Sequence, residues 1–128
     1  MGKYSQAQDN VFSVLDAMKA EVRAYPSGFD GDKGDPPYIR VTIVPSGPPL
    51  NASSISGVLL VEIFTAWGEG PARSSELADT LDRYLQRKTV GTTQFFSSSM
   101  DRQEQDKDNA TLARVIYSLP FAHFGVNE

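Results

Sequence analysis

Apolar residues recur along the chain with two different periods, and the switches between them mark its elements. From about Ser5 to Ala24, Val11, Leu15, Met18 and Val22 fall at helical spacing, with Phe12 and Val14 beside them. Asp9 and Asp16 precede Lys19 and Arg23, the charge order a helix dipole favours. Tyr25-Pro26-Ser27-Gly28 ends this pattern, and a glycine- and proline-rich stretch runs on to Pro37. The period then becomes two. Tyr38 to Val44 places Ile39, Val41 and Ile43 on one face and Tyr38, Arg40 and Thr42 on the other.

Pro45 to Ser56 is a polar connection, longer than a hairpin needs. Val58 to Trp67 is the strongest strand pattern. Leu59, Val61, Ile63 and Trp67 point one way, while Val58, Leu60, Phe64 and Ala66 point the other with Glu62 among them. Both faces are apolar, so both need cover, and helices of the same chain can supply only one. The stretch from Pro71 to Arg87 reads as a helix opened by proline, with Leu77, Leu81, Tyr84 and Leu85 as its buried stripe. Two further strands are expected, roughly Thr92 to Ser98 and Thr111 to Phe121, with Met100 to Asn109 as a solvated hairpin tip. The expected fold is α+β in the order α-β-β-α-β-β: a mainly antiparallel sheet of about four strands, with two helices on one face.

Composition narrows the function. A chain of 128 residues is expected to form a single domain spanning 1–128, large enough to fold without a metal or disulfide staple. It has no cysteine, which excludes disulfides, thiolate metal sites and thiol catalysis. No apolar run is long enough for a membrane span, and the first residues lack an apolar signal segment, so synthesis in the cytoplasm is expected. Twelve basic against sixteen acidic residues give a net charge of −4, which disfavours bulk attraction to nucleic acid.

The chemical motifs are incomplete. Gly68-Glu69-Gly70-Pro71 joins strand to helix as a phosphate loop does, but the Lys and Ser/Thr that would reach phosphate and magnesium are missing. The turn reads as a corner. Asp30, Asp32 and Asp35 suggest calcium, yet an EF-hand register started at Asp30 places Val41 where the bidentate Glu belongs. His123 is the sole histidine, without cysteine support for a metal and with no visible orienting carboxylate. Ser97-Ser98-Ser99 is not a nucleophile elbow. No catalytic, cofactor-binding or metal site is expected, and the chain is not expected to be an enzyme.

One resemblance draws the strands and helix together. The segments YIRVTIVP (Tyr38–Pro45), GVLLVEIFTAWGEG (Gly57–Gly70), LADTLDRYLQRKT (Leu77–Thr89) and the closing SLPF follow one another with a recognisable spacing. Val41 and Pro45; Gly57, Leu59, Val61 and Phe64; Gly68 and Gly70; Leu77, Ala78 and Asp79; and Thr89 occupy the recurrent positions. In this the chain resembles the bacteriophage tail terminator (tail tube capping, or tail completion) proteins. The resemblance runs from about Tyr38 to Phe121, and each motif taken singly is also ordinary α+β grammar.

The resemblance implies a structural virion protein at the head-proximal end of the tail. It would form a homohexameric ring on the tail tube protein, end tube polymerisation and offer a joining surface to a head-side connector or head-completion protein. DNA would pass through the ring without specific binding. Val58, Leu60, Glu62 and Phe64 become the candidate subunit interface. Asp30, Asp32, Asp35, Asp101, Glu104, Asp106 and Asp108 are candidate channel-facing acids, because like charge keeps DNA off a channel wall; the other reading is that both loops face solvent. Pro45, Pro48, Pro49, Leu50 and Asn51 form a candidate loop for docking to tube or connector, or a plain surface loop. The alternatives are a head-closure or minor tail protein, or a small cytoplasmic ligand-binding domain or enzyme.

Overall fold

The computed structural model describes residues 3–18, 21–26, 28, 36–45, 54–68, 71–107 and 110–124, without the side chains of Ser54 and Phe124. Helix α1 is Lys3–Ala17, strand β1 Arg23–Pro26, β2 Tyr38–Pro45, β3 Ser54–Ala66 and helix α2 Pro71–Leu85. Five strands follow: β4 Thr89–Val90, β5 Thr93–Phe95, β6 Ser99–Met100, β7 Glu104–Gln105 and β8 Leu112–Phe124. The fold is α+β, but the sheet has eight strands rather than about four, and it is mixed and curled. Its order is β1-β2-β3-β8-β5-β4, with β6 and β7 also on β8.

The first helix ends earlier than its apolar spacing suggests. Val22 continues the helical period and is buried, but it lies beyond a turn closed by Glu21 and Val22 N–H groups on the Met18 carbonyl. The residues after it form β1, paired parallel to β2 with Arg23 opposite Tyr38. An i+4 position can be buried from a strand as well as from a helix, so pairing with β2 overrides the period.

β2, β3 and β8 form the antiparallel centre, with Ile39 opposite Ile63 and Ile63 opposite Val115. Strict alternation puts Ile55, Leu59, Val61 and Ile63 of β3 into one core with Ile39, Val41, Val115, Tyr117 and Leu119. Ala7, Val11 and Leu15 of α1 and Leu77, Leu81 and Leu85 of α2 enter that same cluster, so both helices cover the same face. Trp67 does not extend this face. β3 ends at Ala66, the chain turns at Gly68 with φ 107°, and Trp67 is about half exposed. Gly57 is required by a close approach: a Cβ there would press on the Val44 carbonyl oxygen and lie 2.9 Å from the Pro45 Cα.

The expected hairpin tip is instead paired strand. From Phe95 to Ser99 the chain advances four residues while β8 retreats three, from Phe121 to Ser118. The same mismatch recurs between Met100 and Glu104, opposite Tyr117 and Arg114. β5, β6 and β7 are thus one strand along β8 broken by two bulges, with β4 beyond β5 and, among the described residues, an open edge at β6 and β7. The interruptions carry Ser98 and Gln103, which reach α2: Ser98 Oγ donates to Asp82 at 2.6 Å, and Ser74 Oγ donates to Gln103 Oε1 at 3.1 Å. Clustered charge hid this strand from the sequence pattern, and charge on an edge strand is also what discourages unwanted pairing.

Candidate functional site

The face of the sheet opposite the helices is built from the other half of each alternation. Residues directly opposite one another in a ladder share a face, so the register assembles this surface row by row. One row runs Arg23, Tyr38, Phe64, Arg114 and Glu104, and the next holds Tyr25, Arg40, Glu62 and Ile116. Beyond them lie Thr42, Leu60, Ser118 and Ser99, and then Val44, Val58 and Pro120. Phe96, whose N–H donates to the Pro120 carbonyl at 3.0 Å, continues that row. Ser56, Ala122 and Gln94 complete it.

The surface therefore divides in two. Its first half is aromatic and charged. Tyr38 stacks on Phe64 with ring centroids 5.2 Å apart, and the Arg40 guanidinium lies 5.3 Å from the Phe64 ring centroid. Arg40 Nε donates to Glu62 Oε1 and its Nη2 to Oε2, both at 2.7 Å, while Arg114 Nε donates to Oε2 at 2.6 Å. The Glu62 side chain is only 14% exposed, so its charge needs these partners. Burial pushes its carboxyl upward, but the hydrogen bonds from Arg40 and Arg114 outweigh that and hold it below the usual carboxylate range.

The second half contains no charged residue in the rows from Thr42 to Gln94. Leu60 and Val58 are half-buried, and Val44 and Phe96 are exposed at 37% and 42%. This is an apolar patch bounded by a charged rim, the composition of an interface core and its edge.

The four candidate interface residues fall on both sides of the boundary. Val58 and Leu60 lie in the uncharged half. Glu62 and Phe64 lie in the charged half, where partners within the chain already occupy them; Phe64 is buried beneath Tyr38 and Arg40. Among the candidate acids, Asp101, Glu104 and Asp106 sit on or beside the bulged strand next to Arg102 and Arg114, and Arg102 Nε donates to Glu104 at 3.4 Å. Asp30, Asp32, Asp35 and Asp108 lie outside the described residues, as do Pro48, Pro49, Leu50 and Asn51. Pro45 ends β2 opposite Gly57, and β3 begins at Ser54, so the connection is shorter than Pro45 to Ser56.

Two polar centres escaped the sequence reading. The Arg40–Glu62–Arg114 triad is one; a lone Glu between apolar neighbours was its signal, but the partners depend on register. The other surrounds His123, expected just past the last strand. It lies within β8 and is fully buried, because β8 runs on to pair with Ser54 and Ile55. Among the described residues there is no group of three or more His, Asp or Glu placed to hold a metal ion.

The triad gives a pH prediction. Glu62 has a folded value below its reference of 4.5, so its contribution is complete above that value and is lost as pH falls through the lower folded one. Glu62→Gln leaves two guanidiniums on a neutral amide and is expected to cost about 1–3 kcal/mol at neutral pH. Urea unfolding should show that gap closing as the wild-type carboxyl protonates in acid. A gap unchanged by acid would mean that the charge contributes nothing.

No family model and no curated protein matches the chain. Its fold is similar to that of a solved structure at TM-score 0.67 and 16% identity, covering 94% of this chain and 98% of that one. At this identity the likeness shows the fold alone.

Proposed function

We propose that the chain is a structural protein of a phage tail, a terminator that caps the tail tube as a homohexameric ring and presents a joining surface to the head side. The observation that carries this reading is the uncharged half of the sheet. Both helices are on the opposite face, so among the described residues no helix lies over Val44, Val58, Leu60, Pro120 and Phe96. A second copy placing a different patch on this surface makes a heterologous contact, which closes into a ring when the rotation allows. The sequence motifs supply the tail context.

Within that assembly Val58 and Leu60 are buried contacts between subunits. Glu62 and Phe64 stiffen the rim rather than reach across. Tail tube and head connector dock on the two ends of the ring, and DNA passes through its channel past Asp101, Glu104 and Asp106.

Electron microscopy of assembled tails carrying this chain with a label tests the placement. The label is expected at the head-proximal end of the tube. Label elsewhere in the virion would favour a head-closure or minor tail protein, and none in the virion would favour a ligand-binding domain or enzyme.

A further inference from the structure

His123 is the chain's sole histidine and its side chain has no solvent exposure. Its Nδ1 lies 3.0 Å from Thr93 Oγ1 and 3.1 Å from Thr92 Oγ1. Thr93 Oγ1 in turn accepts from Asn10 Nδ2 of α1 at 2.9 Å. The Thr93 hydroxyl keeps its proton and a second lone pair, so it satisfies Nδ1 in either tautomer of the neutral ring. Nε2 is buried without a hydrogen-bond partner. Three parts of the fold meet here: the end of β8, the β4–β5 hairpin and helix α1. Gly91 in that hairpin stands close to Asn10, since a Cβ there would lie 2.9 Å from Asn10 Oδ1.

We propose that His123 is a proton-sensitive latch: neutral, it ties the hairpin and helix α1 to the end of β8, and its protonation releases them. The neutral ring fits this arrangement because the threonine hydroxyls satisfy Nδ1 and the buried Nε2 leaves only one hydrogen bond unmade. The cation makes both ring nitrogens donors, leaves the Nε2 proton without an acceptor, and buries a full charge that no group among the described residues opposes.

Among the described residues no neighbouring element supplies a counter-charge. Facing the ring are Asn10, Thr92 and Thr93, with Ile55 of β3 across the ladder, and none of them titrates. Asp9 and Asp16 on α1 and Lys88 before β4 are exposed. Glu62 of β3 and Arg114 of β8 belong to the opposite face of the sheet. Burial alone pushes the imidazole below its ordinary value of 6.5.

The unfolded chain therefore binds more protons than the folded one just below pH 6.5. Stability is complete above that value and is lost as pH falls toward the folded value. Carboxylates titrate in a lower range, so the interval between about pH 6.5 and 5 isolates this group.

The test is a pH series on the intact chain. The imidazole is followed by NMR, and amide protection factors are compared for residues of β4–β5 and α1 against the centre of β2–β3. The folded ring is expected to stay neutral through pH 6.5. Protection in the hairpin and helix should then fall by up to about tenfold per pH unit, the slope of one proton, before the sheet centre responds. In His123→Gln this dependence should vanish from that interval. If the substitution unfolds the chain, the wild-type imidazole and protection data still decide. Titration near the ordinary value with protection unchanged would overturn the latch, as would the same acid response in the glutamine variant.

Discussion

Leu81→Ala is expected to lower the unfolding free energy by about 2–5 kcal/mol, read from urea or guanidinium denaturation. Leu81 is fully buried, between Leu77 and Leu85 on the stripe of α2 that faces the core. Removing its branched end loses its transfer energy and opens a cavity among residues held by three long strands. Those strands cannot close around it without disturbing the ladder from Ile39 through Ile63 to Val115. The helix would keep its polar grips on the bulged strand, Ser74 with Gln103 and Asp82 with Ser98. Such part-buried bonds contribute about 1 kcal/mol each and do not replace the stripe. A loss below about 0.5 kcal/mol would mean that α2 is anchored by something other than this face.

Leu60→Asp should have the opposite profile. Leu60 lies on the uncharged half of the outer surface between Thr42 and Ser118, half-buried, on the face opposite α1 and α2. A carboxylate there keeps access to water in the separate chain, so the unfolding free energy read from urea denaturation is expected to change by less than about 1 kcal/mol. In a ring, every subunit would bring one such charge into an apolar contact, a cost of several kcal/mol at each interface. Capping of tubes, scored by tail length and by joining to heads, should fall on the order of a hundredfold or more. The neighbouring Phe64→Ala makes a useful contrast. Phe64 is buried under Tyr38 and Arg40 in its own chain, so its loss should appear in stability first. Normal capping by Leu60→Asp would remove the uncharged patch from the account.

The two-residue period from Tyr38 to Val44 and from Val58 to Ala66 made the sheet centre legible, because alternation survives wherever one face is fully buried. The leucines of α2 were legible for the same reason. The edges were not. β1 was absorbed into the preceding helical period because Val22 suits either geometry. The first part of the bulged strand lay within the strand expected from Thr92 to Ser98, but its continuation through Met100 to Gln105 read as a hairpin tip because each extra residue resets the alternation and the residues from Asp101 on are rich in charge. The open sheet face followed from the two apolar sides of β3. Its division into charged and uncharged halves did not, since that needs the register that brings Arg40 and Arg114 to Glu62 and sets Phe96 beside Pro120. His123 was expected just past the last strand, which in fact runs on to Phe124, and its threonine partners on the β4–β5 hairpin were out of reach of any reading by spacing.

The claim that one copy of the chain covers the open sheet face of the next is tested most directly by cross-linking from that face in finished particles. A photoreactive residue at position 60 in assembled tails should give a ladder of adducts between copies of this chain, rising no further than the hexamer. Adducts only to another virion protein, or a monomer band alone in tails that contain the chain, would contradict the account.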